Sequence, residues 1–244
     1  MSRSTRTRPS NSNRFSRRRL LRAAVGTVPL AGAVSLGGAL FPVLAVRSQE
    51  ASPDITTTDL GGLILLQGAG CNVIAMRGDD GALLIDGGLA ANADALLRAV
   101  YDATGNDRIH TLINTHWHPE QTGANEAVGR SGGVIFAHEK TRMYLSNPVY
   151  SVTFEGRLEP LPEVGRPNET TRGDGSLEFA GRRIDYGYLP QAHTDADLCV
   201  HIPDMNALVA GGVVSGERWP PLDYRNGAWF GGRVRALERL AELV

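Results

Sequence analysis

The apolar residues of this chain fall into short runs separated by glycines and polar turns, a pattern typical of β-strands. In the first half one helical pattern, residues 92–102, places Leu96, Leu97, Val100 and Tyr101 on a common face. The predicted strands are residues 63–67, 72–76, 82–85, 109–115, 133–137, 177–179, 183–189, 198–202 and 207–210, with an amphipathic helix at 234–243. Two β-rich halves with interspersed helices predict an α/β (α+β) sandwich of two sheets covered by helices.

The charge distribution separates the first 45 residues from the rest of the chain. The formal net charge is −1, but residues 1–45 hold 8 of the 25 basic residues and none of the 26 acidic ones. Residues 46–244 therefore carry 17 basic and 26 acidic side chains, a formal charge of −9, which argues against a nucleic-acid-binding surface. This part is long enough for one domain with a sizeable core.

Residues 16–22, Ser-Arg-Arg-Arg-Leu-Leu-Arg, resemble a twin-arginine export signal. An uncharged stretch, residues 23–46, follows, and residues 43–45 have the small-residue pattern of a signal peptidase site. We therefore expect a cleaved signal at 1–45, the twin-arginine machinery as a partner, and a periplasmic protein. Retention as an inner-membrane anchor is the alternative, because 24 uncharged residues can span a bilayer. Two cysteines, Cys71 and Cys199, do not make a disulfide framework, although a single bridge is left open.

His116 and His118 are separated by one residue at the C-terminal end of the predicted strand 109–115. Pro119 then begins a segment of residues typical of loops. In an extended backbone residues i and i+2 project to the same side, so both rings can bind one cation. Imidazole most often binds zinc in such sites. A His-x-His pair also occurs by chance, and each ring is then an ordinary hydrogen-bonded side chain. Residues 147–174, rich in Pro, Gly and Glu, are predicted to form a loop over the site.

Four segments together resemble the metallo-β-lactamase superfamily, whose signature is His-x-His-x-Asp-His at the end of a strand. The signature position reads His116-Trp117-His118-Pro119-Glu120-Gln121. The other matches, in the family's order and spacing, are residues 84–88 (Leu-Ile-Asp-Gly-Gly), 137–142 (Ala-His-Glu-Lys-Thr-Arg) and 192–197 (Ala-His-Thr-Asp-Ala-Asp). The resemblance spans roughly residues 60 to 240 and implies the family's αββα fold.

The resemblance implies that His116, His118 and His193 are the ligands of the family's first metal site. Three nitrogens with one open position describe a catalytic zinc rather than a structural one. The family's second site uses the signature's Asp and second His, a later Asp or Cys, and a His near the C-terminus. Glu120 and Gln121 replace the first two here, and residues 210–213, Ala-Gly-Gly-Val, offer neither Asp nor Cys. We therefore expect one zinc ion per chain.

The carboxylates near these histidines are expected to support them. Glu120 keeps a carboxylate with one more methylene, which predicts a catalytic role in orienting or deprotonating water; acceptance of loop amides is the alternative. Asp86 and Asp197 are expected to accept hydrogen bonds from the outer nitrogens of the ligands, with turn or strand-end capping as the alternative. Gln121 is expected beside the metal with only a weak amide oxygen. Structural roles are expected for His110, His138 and His201.

The resemblance implies an exported zinc-dependent hydrolase, in which metal-activated hydroxide attacks an ester, lactone, amide or related bond of a small molecule. The alternative is a non-catalytic relative that acts as a binding or interaction protein. The absent residues of the second site favour that alternative, and the complete set of three histidines opposes it. The family continues beyond a helix such as 234–243 to a strand, a histidine loop and a final helix, so we expect a truncated reading frame.

Overall fold

The computed structural model describes residues 54–216, 219 and 221–243. The predicted export signal, residues 1–45, and its boundary lie outside these residues. Within the described ranges, no helix combines the length and apolarity needed to cross a membrane.

Thirteen strands and five α-helices form the described part of the chain. The strands are β1 (Thr56–Asp59), β2 (Leu63–Gln67), β3 (Val73–Met76), β4 (Ala82–Ile85), β5 (Ile109–Ile113), β6 (Val134–His138), β7 (Val149–Tyr150), β8 (Arg157–Leu158), β9 (Glu169–Thr171), β10 (Gly175–Phe179), β11 (Arg182–Leu189), β12 (Asp197–Ile202) and β13 (Ala207–Val209). The helices are α1 (Ala93–Thr104), α2 (Pro119–Thr122), α3 (Asn125–Arg130), α4 (Glu139–Leu145) and α5 (Phe230–Ala241).

The strands form two large sheets and a hairpin. The first sheet has the order β1-β2-β3-β4-β5-β6-β9. It is antiparallel from β1 to β4 and parallel from β4 to β9. The second sheet, β10-β11-β12-β13, is antiparallel throughout, and β7 pairs with β8 in the hairpin. Because β4 and β5 are parallel neighbours, the loops after them start at the same edge of the first sheet.

Strand β4 shows why the first sheet is covered on both faces. Successive side chains of a strand point to opposite faces. Ala82 and Leu84 accordingly pack in one cluster with Leu96 of α1, whereas Leu83 and Ile85 pack in another with residues of the second sheet. All four side chains of β4 are fully buried. One core therefore lies between the helices and the first sheet, and a second core lies between the two sheets.

Helix α5 covers the outer face of the second sheet and completes the predicted αββα sandwich. Ala236 and Leu240 pack with Leu189 of β11 and Cys199 of β12. The sequence predicts an apolar face of Val234, Leu237, Leu240 and Ala241 for this helix, which is wrong in part, since Val234 and Leu237 are exposed. The buried residues are Gly232, Arg233, Ala236 and Leu240, of which only Leu240 belongs to the predicted face. Hydropathy alone does not identify this face, because it includes a buried arginine in the first turn of the helix, whose guanidinium donates to backbone carbonyls.

The remaining differences from the predicted elements concern short, exposed segments. Residues 147–174, predicted as a loop, contain β7, β8 and β9, and β9 pairs in parallel with β6. Strand β1 was not predicted, and each of its side chains is exposed. Edge strands of this kind form by backbone pairing and bury almost no apolar surface, so they leave no hydrophobic period in the sequence. Cys71 and Cys199 are both free thiols.

Candidate metal centre

Three histidines from two distant parts of the chain meet at the ends of the strands. His116 and His118 follow β5, and His193 lies between β11 and β12. All three side chains are buried, and the ring centroids are 4.7 Å apart in every pair. One nitrogen of each ring lies within 4.8 Å of the corresponding nitrogens of the other two. The fold thus brings together the three histidines that the resemblance singles out.

The outward-facing nitrogen of each ring has a hydrogen-bond acceptor. His118 Nε2 lies 3.1 Å from Asp223 Oδ2, and His193 Nδ1 lies 2.8 Å from the carbonyl oxygen of Pro221. His116 Nδ1 lies 3.1 Å from Thr115 Oγ1, whose hydroxyl donates to Asp86 and therefore accepts from the ring. A carboxylate and a carbonyl can only accept. The outer nitrogen of each imidazole consequently carries the proton.

In neutral rings of this tautomer the inner nitrogens carry lone pairs. His118 Nδ1 and His193 Nε2 face each other at 3.0 Å, and His116 Nε2 is buried without a partner in the described residues. Burial, followed by the neighbouring His118 and His193, lowers the pKa of His116 well below its ordinary value. Burial and His118 lower the pKa of His193 to about 3. Three convergent imidazole lone pairs fit a zinc-type cation.

Asp86 supports His116 through Thr115 rather than by touching the ring. Its Oδ1 accepts the backbone N–H of Thr115 at 2.8 Å, and its Oδ2 accepts the Thr115 hydroxyl at 2.9 Å. Burial raises the pKa of Asp86 to about 7, against the opposing hydrogen bonds from Thr115. The expected direct contact with an imidazole is therefore replaced by a relay of Asp86, Thr115 and His116.

Asp197 holds the backbone of the His193 loop, as the capping alternative describes. Its Oδ2 accepts the backbone N–H groups of His193 and Thr194, both at 2.7 Å, and its Oδ1 accepts the Thr194 hydroxyl at 2.9 Å. Burial raises the pKa of Asp197 to about 7, although these hydrogen bonds oppose the shift. The expected hydrogen bond to an imidazole nitrogen is absent from the described contacts of Asp197.

Asp223 is the carboxylate that does contact a ring, and the sequence analysis did not identify it. It accepts from His118 Nε2, from Ser151 Oγ at 2.7 Å and from Asn226 Nδ2 at 2.8 Å. Its own backbone N–H donates to the carbonyl of His193 at 3.0 Å. Although burial raises it, the hydrogen bonds from these three side chains lower the pKa of Asp223 overall. Asp223 lies 105 residues from His118, and no motif in the sequence links the two.

Glu120 and Gln121 lie in helix α2, which begins directly after His118. Glu120 Oε1 is 3.8 Å from His118 Nδ1, and its side chain is 27% exposed. Glu120 Oε2 and Gln121 Oε1 are buried and have no hydrogen-bond partner in the described residues. Gln121 also lines a cleft of about 890 Å³ with Cys71, Asp86 and residues 208–211. Two unpaired acceptors thus lie near the three histidines, and one of them belongs to a residue that lines this cleft.

The other histidines lie outside the three-histidine group. His138 begins α4, where its Nδ1 accepts the backbone N–H of Lys140 at 3.2 Å, and its ring stacks on Tyr188. The expected structural role of His138 is confirmed, and it is a helix cap. His110 contacts Thr111 Oγ1 at 2.8 Å and Phe179 edge-on.

The fold and the three histidines define a metallo-hydrolase architecture, and the comparison with known families agrees. Residues 66–240 match the model of the metallo-beta-lactamase superfamily. Because this match covers more than half of the sequence, the chain belongs to that superfamily. Members of this family generally bind metal, usually zinc. A comparison with proteins of curated function finds no match.

Solved structures share this fold at low sequence identity. A metallo-beta-lactamase from Pontibacter korlensis is 20% identical, with a TM-score of 0.57, over 77% of this chain and 79% of the other. A metallo-beta-lactamase with a HARLDQ motif from Cronobacter sakazakii is 14% identical, with a TM-score of 0.61, over 78% and 74%. A metallo-beta-lactamase family protein from Thermus thermophilus is 20% identical, with a TM-score of 0.55, over 74% and 65%. These likenesses concern the fold.

Asp223→Ala is expected to weaken zinc binding about 10- to 100-fold, the usual effect of removing a carboxylate that orients a metal-bound imidazole. The substitution leaves His118 Nε2 without its acceptor and frees the ring to change tautomer. Competition with a chromophoric chelator measures the dissociation constant for zinc. Asp195→Ala is the matched control, because its carboxylate pairs with Lys140 and Tyr144 instead of a histidine of the group. Equal zinc affinity in the parent and Asp223→Ala would contradict the assignment.

Proposed function

We propose that this protein is a zinc-dependent hydrolase that binds one zinc ion through His116 Nε2, His118 Nδ1 and His193 Nε2. Its substrate is a small molecule with an ester, lactone, amide or related bond. One observation carries the proposal: three buried imidazole nitrogens converge, while the opposite nitrogen of each ring is bound to an acceptor. The lone pairs of the three inner nitrogens can all be used at once when these nitrogens bind a cation.

The residues around the centre have two roles in the proposed reaction, to orient the imidazoles and to accept a proton. A zinc ion held by the three histidines would lower the pKa of water to about 7 and would so supply hydroxide at neutral pH. Thr115, Asp223 and the Pro221 carbonyl keep the three rings in the tautomer that points lone pairs inward. Glu120 has an unpaired, buried Oε2 beside the group and would accept the proton of the attacking water. A carboxylate in this position is a general base.

Support for a single ion comes from the turn that follows β13. The resemblance places a side chain of the second metal site near residues 210–213. A Cβ atom on Gly212 would lie 2.2 Å from His193 Cδ2, so a side chain at this position would overlap the imidazole. Gln121, where the family has histidine, offers an amide oxygen in place of an imidazole nitrogen. Gly212 and Gln121, which lie where the family has ligands of the second site, therefore fit a centre that holds one ion.

The cleft beside the centre supports a small-molecule substrate. Its volume of about 890 Å³ falls within the range of small-molecule sites, roughly 300–1,000 Å³. Apolar side chains of both sheets, Leu65, Ile74 and Leu208, line it together with the polar Gln121. This mixture of apolar and polar side chains suits a small molecule that has an apolar body and a few polar groups.

Metal content and a substrate panel test the proposal together. The purified full chain is expected to hold about one zinc ion. It should hydrolyse at least one class among p-nitrophenyl esters, lactones, thioesters and β-lactams. Chelation should abolish that activity and added zinc should restore it. Zinc without turnover of any class would favour the non-catalytic relative. A protein that binds no zinc would overturn the proposal.

We further propose that residues 1–45 direct export by the twin-arginine route to the periplasm. The support is the sequence alone: arginines at 17–19, the uncharged residues that follow, and the absence of acids. Replacing Arg17, Arg18 and Arg19 by lysine is expected to leave the protein in the cytoplasm of an export-competent bacterium. Cell fractionation measures this. Periplasmic accumulation of the lysine variant, equal to that of the parent, would contradict the proposal.

A further inference from the structure

We propose that Arg233 is a positioning residue that holds the imidazole of His193 in its metal-binding orientation. The inference rests on the proposed zinc site, to which His193 contributes one nitrogen. Arg233 lies in helix α5, is only 7% exposed, and donates to three backbone carbonyls. It acts through the backbone that surrounds the His193 ring.

The guanidinium of Arg233 binds two segments of backbone at once. Nε donates to the carbonyl of Val213 at 3.1 Å, and Nη2 donates to the carbonyl of Gly212 at 2.8 Å. Nη1 donates to the carbonyl of Pro221 at 3.3 Å. The planar group has five donors in a fixed arrangement, so one side chain can bind all three carbonyls. Arg233 therefore ties the turn after β13 to the segment that carries Pro221.

These two segments are the ones that contact the His193 ring. The Pro221 carbonyl accepts the proton of His193 Nδ1 at 2.8 Å and so determines the tautomer. The backbone of Gly212 lies against the ring, because a Cβ atom there would be 2.2 Å from Cδ2 and 2.6 Å from Nε2. Arg233 holds both contacts of the imidazole in place. Without the guanidinium, the two segments lose their common anchor and the ring can rotate or exchange its tautomer.

A methionine at position 233 tests this role, since it keeps an unbranched apolar stem and removes every donor. In the full chain, Arg233→Met is expected to weaken zinc binding about 10- to 100-fold, as the loss of other groups that orient a metal-bound imidazole does. Competition with a chelator measures the change. In the metal-free protein, nitrogen-15 NMR of the imidazoles should show His193 changing from a single Nδ1–H tautomer to a mixture.

Arg239→Met is the matched control, because Arg239 lies in the same helix and also donates to a backbone carbonyl outside the helix. Its Nη1 donates to the carbonyl of Tyr188 at 2.8 Å, and its Nη2 pairs with Asp174 Oδ2 at 2.7 Å. This variant should weaken the docking of α5 yet keep the zinc affinity and the His193 tautomer of the parent. Arg233→Lys should give an intermediate zinc affinity, since an ammonium group lacks the planar fork.

Two results would overturn the inference. One is parent-like zinc affinity in Arg233→Met together with an unchanged His193 tautomer. The other is an equal loss of zinc affinity in Arg233→Met and Arg239→Met, which would assign the effect to helix docking. If Arg233→Met does not fold, the comparison of Arg233→Lys with the parent decides the matter by the same two measurements. If the parent binds no zinc, the proposed function fails, whereas the tautomer measurement still tests Arg233.

Discussion

His116→Ala is expected to remove stoichiometric zinc, from about one ion per chain to a trace. His116 Nε2 is buried and has no partner in the described residues, so its lone pair is available to the proposed cation. Two imidazoles and water bind zinc far less tightly than three imidazoles held in place. Elemental analysis of the purified variant after removal of loosely bound metal measures the loss, and circular dichroism checks that the variant is folded.

Gln121→Ala is the informative comparison for that result. Gln121 lies three residues after His118, but its Oε1 makes no hydrogen bond within the described residues, and a single-ion centre does not use it as a ligand. We expect this variant to keep nearly all of its zinc. His110→Ala, which removes an imidazole that contacts Thr111, should also keep it. Equal zinc loss in the His116 and Gln121 variants would show that the assignment of one ion to three histidines is wrong.

Glu120→Gln is expected to lower kcat for the best substrate by about 10²- to 10⁴-fold, the usual contribution of a general base. The amide keeps the shape of the side chain but cannot take up a proton. Zinc content should stay at the level of the parent, because Glu120 is not among the three proposed ligands. Steady-state kinetics and elemental analysis of the same preparation measure both quantities.

Glu126→Gln is the control for this prediction. Glu126 lies in α3, only six residues further along, and its carboxylate pairs with Arg130 on the surface. Its replacement should leave kcat within about twofold of the parent, as expected for a surface substitution. A Glu120→Gln variant with parent-like kcat would instead favour the role in which Glu120 only accepts loop amides. Loss of zinc from Glu120→Gln would make Glu120 a ligand.

The layers of the fold could be predicted because their cause is periodic along the chain. The four residues of β4 are all apolar, which indicates a strand buried on both faces, and Leu96 and Val100 of α1 recur at helical spacing. The predicted strand at 63–67 coincides with β2. Strands β1 and β9 could not be predicted, since their formation depends on the backbone of a neighbouring strand and their own side chains are mostly exposed.

The ligand candidates were also visible in the sequence, but the groups that orient them were not. His116 and His118 are two residues apart in extended backbone, so local geometry suffices to put them on one side. His193 was identified by resemblance. The roles of Asp223 and the Pro221 carbonyl could not be predicted, because neither belongs to a sequence motif that links it to a histidine. The hydrogen bonds expected from the imidazoles to Asp86 and Asp197 are not found for the same reason. The position of a carboxylate in the sequence does not determine which donor it accepts from in the fold.

The sequence by itself determined the αββα layering, the family and the three histidines that meet at the ends of the strands. These follow from periodicity and from motifs, which are local properties of the chain. Only the tertiary structure decided that Asp223 accepts from His118, that Pro221 accepts from His193, and that Arg233 lies buried behind them. The physical reason is that a hydrogen bond depends on distances of about 3 Å between atoms. For residues far apart in the sequence, those distances exist only after the layers have packed.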